Sequence, residues 1–131
     1  MEGNTENIAV NMNVATLSQI ELLVDLGYYS DTNDFINQSV RQALEQKQSV
    51  IENEAYRHHR YNEEWFTGIY AFAENQLIRA KETGKKIKIS GYGIVVIDTE
   101  LDELAIEAIE SIDIKGKVIA SDTVKEHFSV R

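Results

Sequence analysis

The side chains best suited to acid–base or anion chemistry cluster in the run YRHHRY, residues 56–61. Its two imidazoles titrate near neutral pH, and its two guanidinium groups can contact phosphates, so the run could form a pH-sensitive or anion-binding patch. The competing interpretation is a solvated helix face, because glutamates flank the run on both sides and balance its charge. These are Glu52, Glu54, Glu63 and Glu64. We favour the solvated face.

Metal binding has little support in this sequence. His59 and Glu63 are four residues apart and could ligate a metal together on one helix face, but two ligands do not make a site. The only other histidine outside the run is the distant His127, and the chain contains no cysteine. We therefore expect no metal centre.

Catalysis is equally poorly supported. The G-x-G of GYGIVVID, with Gly91 and Gly93, lacks the third glycine that a dinucleotide fingerprint places before a helix, and instead indicates a bend or bulge. The acids of DTELDELAIE begin a predicted helix, where the helix dipole favours negative charge. No nucleophile is accompanied by a credible base. The sequence predicts a protein that is not an enzyme and has no cofactor.

The first patterned segment is NIAVNMNV, residues 7–14, whose alternation of apolar and polar side chains has the period of a β-strand with one buried face. Two amphipathic helices follow it. The first, in TLSQIELLVDLG, ends at Gly27; the second starts after an Asp31–Asp34 cap. The strand's apolar face comprises Ile8, Val10, Met12 and Val14, and the second helix's apolar stripe comprises Ile36, Val40, Ala43 and Leu44.

A lone strand leaves its backbone N–H and C=O groups unsatisfied unless it pairs with another molecule. The simplest solution is a two-fold dimer in which the strand pairs antiparallel with its own copy. The order of elements over about residues 6–47, with the turn GYYS and the capped run SDTNDFINQSVRQAL, resembles the ribbon-helix-helix family of dimeric DNA-binding proteins.

This resemblance implies that the paired strands enter the major groove and that their outward side chains read base edges. The matching positions here are Ala9, Asn11 and Asn13. It also implies that the N-terminus of the second helix anchors DNA phosphates, where free N–H groups favour an anion. The phosphate-contacting positions would be Ser30, Thr32, Asn33 and, near the middle of the helix, Arg41.

Residues 49–83 are predicted to be a helical connector. Its second half, WFTGIYAFAENQLIRAKETG, is apolar on more than one face, so we expect it to pack on its own domain and on a partner chain. The aromatic residues Trp65, Phe66, Tyr70 and Phe72 are assigned to the core.

Residues 84–131 have the pattern strand (KIKISGYGIVVID), helix (TELDELAIEAIESI), strand (DIKGKVIAS) and short helix (DTVKEHF). Thr99 and Asp102 are spaced as a capping box, and the helix stripe includes Ile109 and Ile112. This order predicts a βαβ unit with parallel strands. The whole chain is thus predicted to be α+β: a ribbon-helix-helix domain (1–48), connecting helices (49–83) and a small α/β domain (84–131).

Charge is the main objection to DNA binding. The net charge is −9, and residues 1–50 contain two bases, Arg41 and Lys47, against seven acids. We predict a homodimeric repressor-type regulator, or a tetramer of it, that binds double-stranded DNA and uses its C-terminal domain for oligomerisation or sensing. The alternative is an antitoxin-like or scaffold protein whose front half only dimerises and whose partner is another protein. Without a signal peptide or an apolar span, the expected location is the cytoplasm, away from membranes.

Overall fold

The computed structural model describes residues 5–59 and 63–130, and the chain divides into two compact units, residues 1–49 and 50–131. The first unit contains helices α1 (Val14–Asp25) and α2 (Thr32–Gln46), and α3 (Gln48–His59) begins at its end. None of the described helices combines the length and the hydrophobicity that a transmembrane span requires.

Both helices of the first unit begin and end where local chemistry dictates. The Oδ1 atom of Asp31 accepts a hydrogen bond from the backbone N–H of Asp34 at 2.7 Å, so the predicted cap of α2 is confirmed. After α1, Gly27 adopts a positive φ of 89°, as the predicted helix end requires.

The start of α1 differs from the prediction. Val14 was assigned to the apolar face of the strand, but it is the first residue of the helix, because Asn13 caps α1 and ends the extended segment. Residues 5–13 form neither helix nor strand in the described single chain. A strand is stabilised by a hydrogen-bonded neighbour, and within one chain this segment has none among the described residues.

The second unit is built on a three-stranded parallel sheet. Its strands are β1 (Glu64–Ala71), β2 (Ile87–Val96) and β3 (Ile109–Ile119), and they lie in the order β1-β2-β3. Helix α4 (Glu74–Thr83) joins the first two strands; a 3₁₀ turn (Thr99–Leu101) and α5 (Asp102–Ala108) join the last two, and α6 (Asp122–His127) follows. The predicted parallel β-α-β arrangement of residues 87–119 is therefore confirmed.

One face of the sheet and the helices enclose the core of the second unit. Phe66, Ile89 and Val118 on this face pack in one cluster with Leu77 of α4 and Val124 of α6. The other buried members of the cluster are Phe72, Ala80, Val95, Ile97, Ala105, Ala108, Ile109 and Ile112. We call this covered side the inner face of the sheet.

The prediction of a continuous helical connector is wrong over residues 64–71, which form β1. Apolar residues on two sides of this segment were interpreted as a helix buried on two sides, but they belong to the two faces of a strand. Phe66 and Tyr70 pack with the inner core, whereas Trp65 and Ile69 lie on the opposite face of the strand. Aromatic and β-branched residues favour this conformation. The sheet consequently begins well before residue 84.

The helix predicted over residues 99–112 is shorter than expected. It ends at Ala108, and Ile109 and Ile112 belong to β3, where pairing with β2 replaces helical hydrogen bonds. The 3₁₀ turn that precedes α5 is capped by Asp98, whose Oδ1 accepts from the N–H of Glu100 at 3.1 Å, and not by Thr99.

Gly91 and Gly93 are not at a bulge, because the register of β1 and β2 continues without a shift through both residues. The sheet's one irregularity between β2 and β3 is at Ile87 and Lys88. At Gly93, φ is 133° and a Cβ atom would overlap the carbonyl of Gly68 on the neighbouring strand. This glycine is required by the close approach of two backbones.

Candidate nucleic-acid interface

The predicted base-reading residues lie in the N-terminal segment that precedes α1. Ala9 and Asn11 are exposed. The Oδ1 atom of Asn13 accepts a hydrogen bond from the backbone N–H of Ala15 at 2.8 Å, so in the single chain this amide caps α1. This role of Asn13 was not predicted, although asparagine is among the preferred residues immediately before a helix.

The apolar side of the same segment is strongly exposed. Ile8 is 84% exposed and Val10 68%, although both alternate with polar residues as a buried strand face would. Together with Met12 they line an open cleft of about 850 Å³ whose opposite wall includes Ile36 and Val40 of α2. Polar side chains, among them Asn11 and Asn37, also line this cleft. Its apolar part is a place where further apolar atoms can pack.

The helices of the first unit share this exposure. Among its described residues Ile20 is the one buried side chain. The large apolar side chains of its helices and turn that remain exposed are Val14, Leu22, Leu26, Tyr28, Ile36, Val40 and Leu44. A unit of this size cannot be stabilised by one buried side chain, so it needs a further surface to complete its core.

Three predicted phosphate-contacting residues come together at the start of α2. Thr32 and Asn33 are its first two residues, and Ser30 lies just before the cap. In the part of the chain that the structure describes, the backbone N–H groups of Thr32 and Asn33 have no acceptor, which leaves them available to an anion. Arg41 is exposed and lies nine residues after Thr32, which is about 14 Å along the helix axis.

The same helix end also carries two carboxylates, Asp31 and Asp34. The Gln38 amide donates to Oδ1 of Asp34 at 3.0 Å, and the backbone N–H of Ser30 donates to Oδ2 at 3.0 Å. These two hydrogen bonds, and more weakly the charge of Arg41, hold the pKa of Asp34 below its usual value. Both donors favour the charged carboxylate, so this helix end presents fixed negative charge beside its free N–H groups.

The YRHHRY run is described as far as His59, while Arg60 and Tyr61 lie outside the described residues. His58 Nδ1 lies 2.8 Å from Glu63 Oε2 and donates a hydrogen bond to this carboxylate oxygen, and its Nε2 is 3.5 Å from Glu54 Oε2. Its ring stacks on Trp65 with centroids 5.5 Å apart. Glu63 is therefore reached by His58, one residue earlier on the helix than the His59 considered above as a metal ligand.

Glutamates thus contact His58 and Arg57 of this run, as the charge balance in the sequence indicates. Arg57 also pairs with Glu54, at 3.0 Å. Across residues 5–59 and 63–130, no group of three or more histidine, aspartate or glutamate side chains is arranged to hold a metal ion.

Comparison with known proteins places these features in a family. The profile described as "Ribbon-Helix-Helix transcriptional regulator family" matches residues 3–125, which cover most of both compact units. Neither the curated proteins nor the solved structures contain a match. Because the matched range covers most of the sequence, this chain belongs to the ribbon-helix-helix transcriptional regulator family.

Proposed function

We propose that this protein is a dimeric regulator that binds operator DNA through a two-stranded ribbon, formed by residues 7–13 of two copies. The observation that carries the proposal is the incomplete core of the first unit, in which only Ile20 is buried among the described residues. A second copy would supply the missing hydrogen-bonding neighbour of the segment and the apolar atoms that fill its cleft. Both needs are met by one two-fold contact.

In this dimer the alternation of the segment determines which side chains face DNA. When Ile8, Val10 and Met12 face the shared core, Ala9 and Asn11 face outward. An asparagine can bond both N6 and N7 of adenine, and an alanine methyl can contact the methyl group of thymine. Asn13 lies at the end of the ribbon and also caps α1, so we assign the main readout to Asn11.

Phosphate contacts would come from the start of α2, through the N–H groups of Thr32 and Asn33 and the hydroxyl of Ser30, with Arg41 further along. Asp31 and Asp34 oppose these contacts electrostatically. The resulting affinity for non-specific DNA should be low, because few cations neutralise phosphates. Specific binding would then depend more on contacts between the ribbon and the bases than on contacts with the DNA phosphates.

The test is fluorescence anisotropy with duplex DNA from the region upstream of the coding sequence, at two salt concentrations, together with sedimentation to establish the dimer. Asn11→Ala should weaken binding to the preferred duplex by about 1–3 kcal/mol for each adenine pair lost, and reduce preference for it over random DNA. The matched control is Asn75→Ala, which removes an exposed amide from α4 in the second unit. Equal binding by Asn11→Ala and the control would overturn the assignment.

A second candidate function, a protein-interaction module of antitoxin or scaffold type, is favoured by the acidity of the first fifty residues, with two bases against seven acids. In that role the first unit dimerises without contacting DNA, and its acidic surface binds a protein with a basic one. This candidate predicts no duplex binding even at low salt, together with co-purification of a basic partner. Salt-sensitive binding to the upstream duplex would exclude it as the main function.

A further inference from the structure

Among the described residues of the second unit, helices cover one face of the parallel sheet. Helices α4, α5 and α6 contribute buried side chains to the inner core, and the opposite, outer face carries four rows of side chains across the strands. After the row that begins with Trp65, the rows are Thr67–Tyr92–Lys115, Ile69–Ile94–Lys117 and Ala71–Val96–Ile119. In the described part of this unit Tyr92 is 56% exposed, Ile69 50% and Ile119 47%.

An uncovered outer face is unusual for this type of sheet. All-parallel sheets occur almost only where both faces are covered, because the helices that connect parallel strands usually lie on both faces. The first outer row, Trp65–Ser90–Asp113, is partly covered, since the His58 ring stacks on Trp65. The next three rows therefore form the patch that lacks a covering layer.

We infer that the outer face packs against the same face of the second copy within the ribbon-helix-helix dimer. This inference rests on the dimer of the proposed function. The geometry of the patch supports this occupant: three strands are about 14 Å wide and five residues are about 17 Å long, which gives a few hundred Å² per copy. A freestanding interface normally needs about 800 Å² per partner, so an independent protein is a poor fit.

A second copy needs less contact area because it is already tethered. The two units of a chain are linked through α3, which is 12 residues and about 18 Å long. Dimerisation of the first units therefore holds two outer faces at a high effective concentration, and a small patch then suffices.

The charge of the patch determines how two copies can pair. Its charged side chains are Lys115 and Lys117, both on β3, while the outward residues of β1 in these rows are Thr67, Ile69 and Ala71. A two-fold axis parallel to the strands places each β3 opposite the partner's β1, which separates the lysines. An axis perpendicular to the strands would oppose lysine with lysine. The first arrangement is favoured, and it places the two copies of β2 closest together.

Chemical cross-linking of the full chain tests this contact, because the sequence contains no cysteine and single-cysteine variants have no background. Facing sheets lie about 10 Å apart, which is too far for a disulfide, so a short bis-maleimide is the reagent. Ile94→Cys and the more exposed Tyr92→Cys place the thiol on β2; Thr123→Cys places it on the exposed surface of α6 as the control. Two β2 positions keep the test valid where one variant fails to fold.

We expect both β2 variants to cross-link into covalent dimers at least roughly tenfold faster than Thr123→Cys, at a rate that does not change when the dimer is diluted. Sedimentation of the same samples reports the dimer independently. A stable dimer with equal rates for all three variants overturns the outer-face contact alone and leaves the proposed function standing. If the cross-linking rate falls on dilution while the dimer persists, the cross-links form between separate dimers. That result also overturns the outer-face contact within one dimer. A monomeric chain overturns both proposals.

Discussion

The two units of this chain differ in how much of their own core they contain. Over residues 50–59 and 63–130, the second unit buries thirteen side chains in one cluster and pairs three strands with one another. The first unit, among its described residues, buries Ile20 alone and leaves most of its large apolar side chains exposed. One unit therefore contains a core within the chain, whereas the other leaves apolar side chains uncovered, which under our proposal a second copy would cover.

The largest expected effect concerns the internal core. Leu77 in α4 is fully buried, so Leu77→Ala should lower the free energy of unfolding of the second unit by about 2–5 kcal/mol, through lost burial and a residual cavity. Urea denaturation measures this, with the exposed Glu82→Ala on the same helix as the control. The loss should be the same at every protein concentration; a loss that grows on dilution would contradict a self-contained second unit.

The next effect concerns the first unit. Val40 of α2 is 50% exposed in the single chain, and a substitution at such a surface position normally changes stability by less than about 0.5 kcal/mol. If a second copy covers Val40, then Val40→Glu should instead dissociate the dimer and abolish DNA binding, as sedimentation and anisotropy would show. Gln42→Glu adds the same charge to an exposed position two residues away. Two variants with unchanged dimers would refute the shared core.

A smaller effect is expected at Asp31, where two substitutions distinguish the hydrogen bond that caps α2 from the negative charge of the carboxylate. Asp31→Ala should destabilise the first unit by about 1 kcal/mol, because the N–H of Asp34 loses its acceptor. Asp31→Asn keeps an acceptor and removes a charge beside the expected phosphate, so DNA affinity should rise by about two- to fivefold. Weaker DNA binding by Asp31→Asn would show that phosphates do not approach this helix end.

The smallest effect is a pH dependence confined to the first unit. The pKa of Asp34 is lowered in the folded chain by the hydrogen bonds from Gln38 and Ser30. Its contribution to stability is therefore fully present above the ordinary carboxyl pKa of about 4, and it is lost as the pH falls through the lower folded value. Far-UV circular dichroism in acid should show this loss, and Asp34→Asn should flatten it. If Asp34→Asn loses helical signal in acid over the same pH range as the unsubstituted chain, other carboxyl groups cause the loss.

Sequence reasoning succeeded where short-range contacts decide the structure. Asp31 and Asp34 form the cap three residues apart, and Gly27 ends α1. The parallel direction of β2 and β3 was also predicted, because a helix between two strands returns the chain in the same direction. It failed at residues 64–71, where an apolar run fits a buried helix and a strand equally well, and β1 is selected by pairing with β2.

In the candidate nucleic-acid interface, too, some features were predicted from the sequence and others were not. The sequence located Ala9 and Asn11 on the polar side of an alternating segment, and the structure leaves both exposed. It did not reveal that Asn13 caps α1, because the choice between extending a strand and starting a helix at that residue depends on what packs around it. Nor did it identify His58 as the partner of Glu63, since α3 and β1 first meet in three dimensions.

The family pattern, the cap of α2 and the apolar periodicities follow from the sequence alone, because each arises from residues a few positions apart whose hydrogen bonds and apolar spacing are local. The tertiary structure was needed to show that β1 joins the sheet, that Ile109 and Ile112 leave the helix, and that three rows of the sheet have no covering layer among the described residues. These outcomes depend on partners distant along the chain. Strand pairing and the burial of a sheet face are stabilised by such distant contacts, which no local pattern encodes.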